Sequence, residues 1–189
     1  SLTAAAQNGA FTLDARDGHL TVAATGTITD TTESSAILEG VITNDGQIVI
    51  DGQTSQQSGT IDGSGVIALG GTLVLYGSVA ATQQLDFTRG NARLTIAPGA
   101  RVAGSIEGFS AGDTIDLAGV TADAAVFDPD SGLLSISNAG TVVATLHLAG
   151  VYGADDFAVA ADGSGGALVT SQSPGGISTT PYTLPVPAL

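Results

Sequence analysis

Acidic side chains are the residues of this 189-residue sequence best equipped for chemistry: 18 Asp and Glu stand against four Arg and no Lys, for a formal charge of −14. Residues 128–132 (DPDSG) bring Asp128, Asp130 and the Ser131 hydroxyl into one turn, an oxygen set of the kind calcium accepts. Residues 162–166 (DGSGG) share the composition of the calcium-binding nonapeptide of secreted solenoids, but neither its order nor its repetition. Asp155 and Asp156 are adjacent, so an extended backbone sends them to opposite faces, which weakens them as a pair. Turn formation accounts for these aspartates more simply than a metal does. Calcium through Asp128 and Asp130 is kept as the candidate ligand, and no cofactor is expected.

Catalysis finds less support. His19 and His147 fall in separate strand-like segments, with no nucleophile signature such as GxSxG beside either. Cleavage of acidic sugars calls for clustered carboxylates with Lys or Arg to handle the substrate's charge. Here Lys is absent, and Arg16, Arg89, Arg93 and Arg101 form no cluster in sequence. No catalytic residue is assigned, and the chain reads as a non-enzyme.

The charge balance also excludes partners. A polyanion without lysine is repelled by nucleic acid and by anionic membrane surfaces. No apolar run approaches the roughly 20 residues of a membrane helix, so membrane insertion is not expected. No signal peptide is visible, as in a chain that starts after one was removed or is cut from a longer protein. Zero Cys rules out a disulfide scaffold and thiolate metal sites. Few charges with abundant Thr, Ser, Asn, Gln and Gly suit an extracellular wall or matrix protein.

The elements that would position these residues are strands. Between residues 40 and 77, glycines recur at Gly40, Gly46, Gly52, Gly59, Gly65, Gly71 and Gly77, in steps of six or seven. Two residues after each comes Ile42, Ile48, Thr54, Ile61, Ile67, Leu73 or Val79, aliphatic in every case but Thr54. A short strand, a glycine corner and another short strand repeat. Three such units make a rung of about 18–19 residues, the size of a β-solenoid coil. An ordinary β-sandwich with glycines in its hairpin loops is the alternative, but hairpins rarely keep so even a spacing. The fold class expected is therefore all-β, a single-stranded β-solenoid or parallel β-helix with three-strand rungs.

Regular rungs are expected over about residues 36–120, preceded by strands at 10–13, 19–24 and 26–29 and a turn at Asp17-Gly18. Residues 102–120 read as a strand at 102–106, a turn at 107–112 and a strand at 114–117. Phe109, between Gly108 and Gly112, reads as a plug dropped over the end of an apolar core. Closing strands follow over 121–172, with residues 138–140 as a three-residue hairpin connection and 152–160 as either a helical turn or a strand. The threonine-rich residues 25–32 raise ice or glycan binding, but no regular T-x-T array repeats.

Residues 71–77 (GTLVLYG), 83–87 (QQLDF), 102–120 (VAGSIEGFSAGDTIDLAGV), 144–148 (ATLHL) and 162–170 (DGSGGALVT) occur in that order. Together they resemble a module of large secreted β-solenoid proteins of Gram-negative bacteria, including autotransporter-like passengers and repetitive adhesins. The resemblance covers roughly residues 59–172 and is sharpest at GF-x-x-GDTIDL and DG-x-GG-x-LVT. It implies a secreted or surface-exposed β-stalk with no catalytic residues to carry over. Giant adhesins repeat the module many times; here it occurs once.

Residues 173–189 form a separate, uncharged tail that ends TTPYTLPVPAL. Tyr182, Leu184, Val186 and Ala188 share one phase of a strand, while Pro181, Pro185 and Pro187 share the other. Even residues can then pair with a neighbouring edge while the prolines face away. The expected organisation is a solenoid domain at 1–172, shaped by Gly46, Gly52, Gly59, Gly65, Gly71 and Phe109, followed by a donor strand at 173–189. The function expected is a non-catalytic subunit of an extracellular filament or biofilm matrix, assembling head to tail with copies of itself outside a Gram-negative cell. The alternative is a surface-adhesin passenger that binds cells or glycans.

Overall fold

A computed structural model describes residues 10–31 and 35–172. The candidate assembly residues Tyr182, Leu184, Val186 and Ala188 lie outside the described residues. All regular elements among the described residues are strands, coiled into a β-solenoid of about five turns with three faces. The first rung is β1 (Ala10–Val22), bent across the first and second faces, and β2 (Thr27–Asp30) on the third. The second is β3 (Ser35–Asn44), bent likewise, and β4 (Gln47–Ile50). Three rungs of three strands follow: β5 (Gln53–Gln56), β6 (Thr60–Asp62) and β7 (Val66–Leu69); β8 (Thr72–Leu75), β9 (Ser78–Val79) and β10 (Gln84–Phe87); β11 (Arg93–Ile96), β12 (Arg101–Val102) and β13 (Ser105–Glu107).

Parallel registers fix the step from rung to rung. Ser35 pairs with Gln53 after 18 residues, and Gln53 with Thr72 after 19. Later steps lengthen to 21 from Thr72 to Arg93 and again to Thr114. Inward positions stack as apolar columns: Ile42, Ile61, Val79 and Val102 on the second face, Ile28, Ile48, Ile67, Leu85 and Ile106 on the third. Each fully buried Ile or Leu contributes about 1.5–3 kcal/mol.

The evenly spaced glycines stack at the corners. Gly40, Gly59 and Gly77 lie one above another between the first and second faces, Gly26, Gly46 and Gly65 between the second and third, and Gly52 and Gly71 where the third returns to the first. A Cβ on Gly46, Gly59, Gly65 or Gly71 would run into the carbonyl of the glycine below. That carbonyl accepts an N–H from the rung above, as Gly46 does from Val66 and Gly52 from Thr72. The spacing thus records backbone contact between rungs as well as a bend.

Beyond β13 the coil stops and closes. β14 (Thr114–Leu117) starts a sixth level on the first face. The chain then makes an antiparallel meander of β15 (Ala124–Asp128), β16 (Leu133–Asn138) and β17 (Thr141–Ala149). Residues 147–149 of β17 return to lie parallel on β13, supplying the third face of the sixth level. A hairpin of β18 (Phe157–Ala161) and β19 (Ala167–Ser171) covers β14 antiparallel.

Three local expectations change, and one open alternative is decided. Residues 102–106 are not one strand: β12 and β13 lie on different faces, and Gly104 packs against the Gln83 carbonyl at the corner between them. Asp17-Gly18 does not end a strand; it sits inside β1, where the register with β3 slips between Ala15 and His19 as the strand rounds a corner. Of the two alternatives for residues 152–160, the strand is found: a turn closed by the Asp156 N–H on the Gly153 carbonyl leads into β18, which starts at Phe157. The β16–β17 connection is tighter than three residues: Ala139 and Gly140 make it alone, with φ of 48° and 80°, the two positive values a twist-matched hairpin turn requires.

Candidate functional site

The acidic candidates serve their own turns. Asp128 accepts the Asp130 N–H at 3.0 Å and the Ser131 hydroxyl at 2.6 Å, closing the β15–β16 connection. Asp162 accepts the N–H groups of Ser164 and Gly166, and Asp156 that of Gly153. These bonds hold the Asp128 and Asp162 carboxyls below the ordinary range. Asp130 is exposed beside Asp128 but adds no further acid to it; among the described residues no three His, Asp or Glu converge to hold a metal. His19 is exposed on the first rung and His147 on the sixth level, where it is in register with Ser105 and Leu133. The structure does not bring the histidines together.

The buried polar groups that sequence reasoning missed are structural. Asn44 donates to Gln83 at 2.9 Å, and Gln83 donates to the carbonyls of Asn44 and Asp62, a clip from the second rung to the fourth. Gly65 leaves the clip room, since a Cβ there would meet the Asn44 side chain. Asp113, fully buried, accepts from the Ala92 N–H and from the N–H and hydroxyl of Ser110. These bonds fix the loop that carries Phe109. The Phe109 ring is fully buried, 5.2 Å from Phe87 edge-on and 6.2 Å from Phe157 in a stack, and Tyr152 donates its hydroxyl to the Phe109 carbonyl at 3.0 Å. Chain order gives no sign of such contacts between residues 30 or 40 positions apart.

Two kinds of titration follow. Arg16, hydrogen-bonded at 2.6 Å, lowers Asp14 to about 2. A carboxyl lowered by folding stabilises above its unfolded value and loses that contribution as pH falls through its folded one. The stability difference between the wild type and Asp14→Asn is thus expected to be constant above about pH 5 and to shrink as pH falls through about 4 and then about 2. Burial, with Asp113 and Glu107 adding to it, raises the Tyr152 hydroxyl. Its contribution is complete below the ordinary tyrosine value near 10 and falls as pH rises past it. Urea titrations at stepped pH measure both; a D14N difference that does not shrink between pH 5 and pH 2 contradicts the assignment.

One surface feature is not consumed by the fold. On the second face, β12 ends its ladder among the described residues. A groove of about 440 Å³ lies there, lined by Ile96, Val102, Leu117, Val120, Val143 and Leu146, with Arg101 at its side. Arg16, Arg89 and Arg93 are ion-paired, whereas Arg101 makes no ion pair among the described residues. The groove combines apolar side chains with Arg101, Thr145 and a strand edge, a setting for an extended peptide segment.

No curated protein and no solved structure matches the chain. A family model described as the N-terminal part of hyphally regulated cell wall proteins matches residues 15–188. The match runs from the first rung through the closing hairpin and on to residue 188. It supports a place at the cell surface or outside the cell, and does not extend to the Gram-negative setting, which the resemblance alone implies. The chain belongs to the family of hyphally regulated cell wall protein N-terminal domains.

Proposed function

We propose that the chain is a non-catalytic, surface-displayed domain with an adhesin-like role, holding a rigid β-rod where other cells or their glycans can meet it. The family match over residues 15–188 carries this reading. The commitment of Asp113, Asp128, Asp156 and Asp162 to their own loops agrees with it. The resemblance to secreted solenoid passengers supports the same location. An antibody against the solenoid is expected to label intact cells, and cells lacking the domain to adhere less to one another or to glycan-coated surfaces. Label confined to the cell interior, or unchanged adhesion, overturns the reading.

A second reading, a filament subunit that adds strands head to tail, is favoured by one observation. β2 ends its ladder and β1 pairs only with β3, so the first rung presents an open edge among the described residues. Electron microscopy of the purified chain tests it: regular fibres support it, and dispersed particles at high concentration reject it.

A further inference from the structure

Asp116 is buried although it stands on the outer side of a sheet. Its neighbours in β14, Ile115 and Leu117, turn into the core, so Asp116 points out of the first face, yet its side chain is only 7 % exposed. One carboxylate oxygen, Oδ2, accepts from Arg93 Nη2 at 2.7 Å and from the Thr95 hydroxyl at 3.3 Å. The other, Oδ1, is shut off from water and receives no donor among the described residues. A buried acceptor without a donor keeps an uncompensated desolvation cost, which an incoming donor relieves. We infer that Arg93, Thr95 and Asp116 form a binding site for a neutral, extended polysaccharide, one hydroxyl of which donates to Asp116 Oδ1. The inference rests on the surface-displayed, adhesin-like reading and deepens it by giving the glycan a place and a class.

Arg93 supplies the second half of the contact. Its side chain is 45 % exposed and is held by Asp116 and, at 3.4 Å, by the Thr95 hydroxyl, so a small shift of the guanidinium admits a ligand. Its Nη1 makes no hydrogen bond among the described residues. The pair therefore offers a donor beside an acceptor, the arrangement that engages two neighbouring hydroxyls of one sugar.

Charge selects the class of glycan. Arg93 and Asp116 cancel, and around them the outward residues Gln53, Ser55, Thr72, Val74, Thr95 and Thr114 are uncharged. The third face differs: Asp86 and Glu107 stand in register on β10 and β13, and neither makes an ion pair among the described residues. A chain of formal charge −14 repels an acidic polysaccharide, whereas a neutral one meets no net charge on the first face.

Shape selects an extended chain. Strands stand about 4.8 Å apart, close to the advance per sugar of a β-1,4-linked hexopyranose chain, so successive sugars laid along the rod meet successive strands. Val74 and Leu168 flank Thr95 and Asp116 in the same outward column, half-buried, and give the C–H faces of the sugars an apolar contact at each end. From Val74 to Leu168 is three strand spacings, about 14 Å, room for about three sugars.

An NMR titration of the full chain with cellohexaose tests the site, with hexagalacturonate as the acidic counterpart. Saturable shifts are expected at the amides of Val74, Thr95, Asp116 and Leu168 with cellohexaose, and none with hexagalacturonate. Asp116→Ala is expected to weaken binding at least about tenfold. That change also breaks the ion pair, so Thr72→Glu is the second variant: it keeps Asp116 and offers Arg93 a rival carboxylate from the neighbouring strand. A similar loss is expected there, in a chain whose amide spectrum away from the first face stays that of the wild type. The site is overturned if the wild type shows no saturable shift at these amides with cellohexaose, if hexagalacturonate binds equally, or if binding survives both substitutions. Antibody labelling of intact cells is independent of these results, so display at the surface can stand while this site falls.

Discussion

Phe109→Ala is expected to lower stability by about 3–5 kcal/mol, a large part of the 5–15 kcal/mol typical of a whole domain. The ring is fully buried and touches both parts of the structure that must meet there. Phe87 belongs to the fourth rung, Phe157 to the closing hairpin, and Phe127 and Tyr152 complete the cluster. Collapse to fill the void is restricted, because Asp113 and the Tyr152 hydroxyl hold the loop backbone in place. Phe109→Leu keeps most of the volume and is expected to cost under half as much. Tyr152→Phe removes one hydrogen bond and leaves the Phe109 carbonyl unpaired, at about 1–2 kcal/mol. Urea unfolding of the three variants checks the order, and a Phe109→Ala cost below 1 kcal/mol removes the ring from its central place in the closure.

Gly59→Ala is expected to cost about 2–5 kcal/mol, although it adds a single methyl group. The backbone there has φ of 79°, a left-handed conformation that costs a residue with Cβ about 1–2 kcal/mol. The new carbon would also strike the carbonyl, C and Cα of Gly40 one rung below, backbone atoms that move only with the rung. Overpacking of this kind adds roughly 1–3 kcal/mol. Gly90→Ala makes the contrast: nothing lies within 4 Å of its Cβ position, and its φ is not in the left-handed region. That change is expected to be neutral or stabilising by up to about 1 kcal/mol. Thermal melts of the pair measure the difference, and equal behaviour would deny that corner glycines are in contact.

What the sequence made legible was whatever repeats. Gly46, Gly59, Gly65 and Gly71 announce corners because each rung meets the same obstruction, and Ile42, Ile48, Ile61 and Ile67 announce the interior because the coil brings each column past the same point. Phe109 stood out as a large apolar residue between two turn-forming glycines, Gly108 and Gly112, whose φ values are 69° and 100°. Features that occur once were not legible. The Asn44–Gln83 clip joins residues 39 positions apart, and neither side chain carries a local signal of the other. The break between β12 and β13 was hidden because Val102 and Ile106 are both apolar, and one strand or two corner-separated strands give the same pattern. The end of the β12 ladder among the described residues depends on where β14 and β17 go and not on the residues of β12. The same applies to Asp128 and Asp130: their composition allows calcium, and only the geometry reveals that Asp128 is closing its own turn.

The stacked coil itself is tested most directly by interstrand nuclear Overhauser contacts on the third face. Parallel stacking predicts contacts linking Ile48 to Ile67 and Ile67 to Leu85, steps of 19 and 18 residues, without close Hα–Hα pairs between β4, β7 and β10. Strong Hα–Hα contacts among those strands, or pairing of Ile48 with a sequence-adjacent hairpin partner, would mean antiparallel sheets and contradict the solenoid.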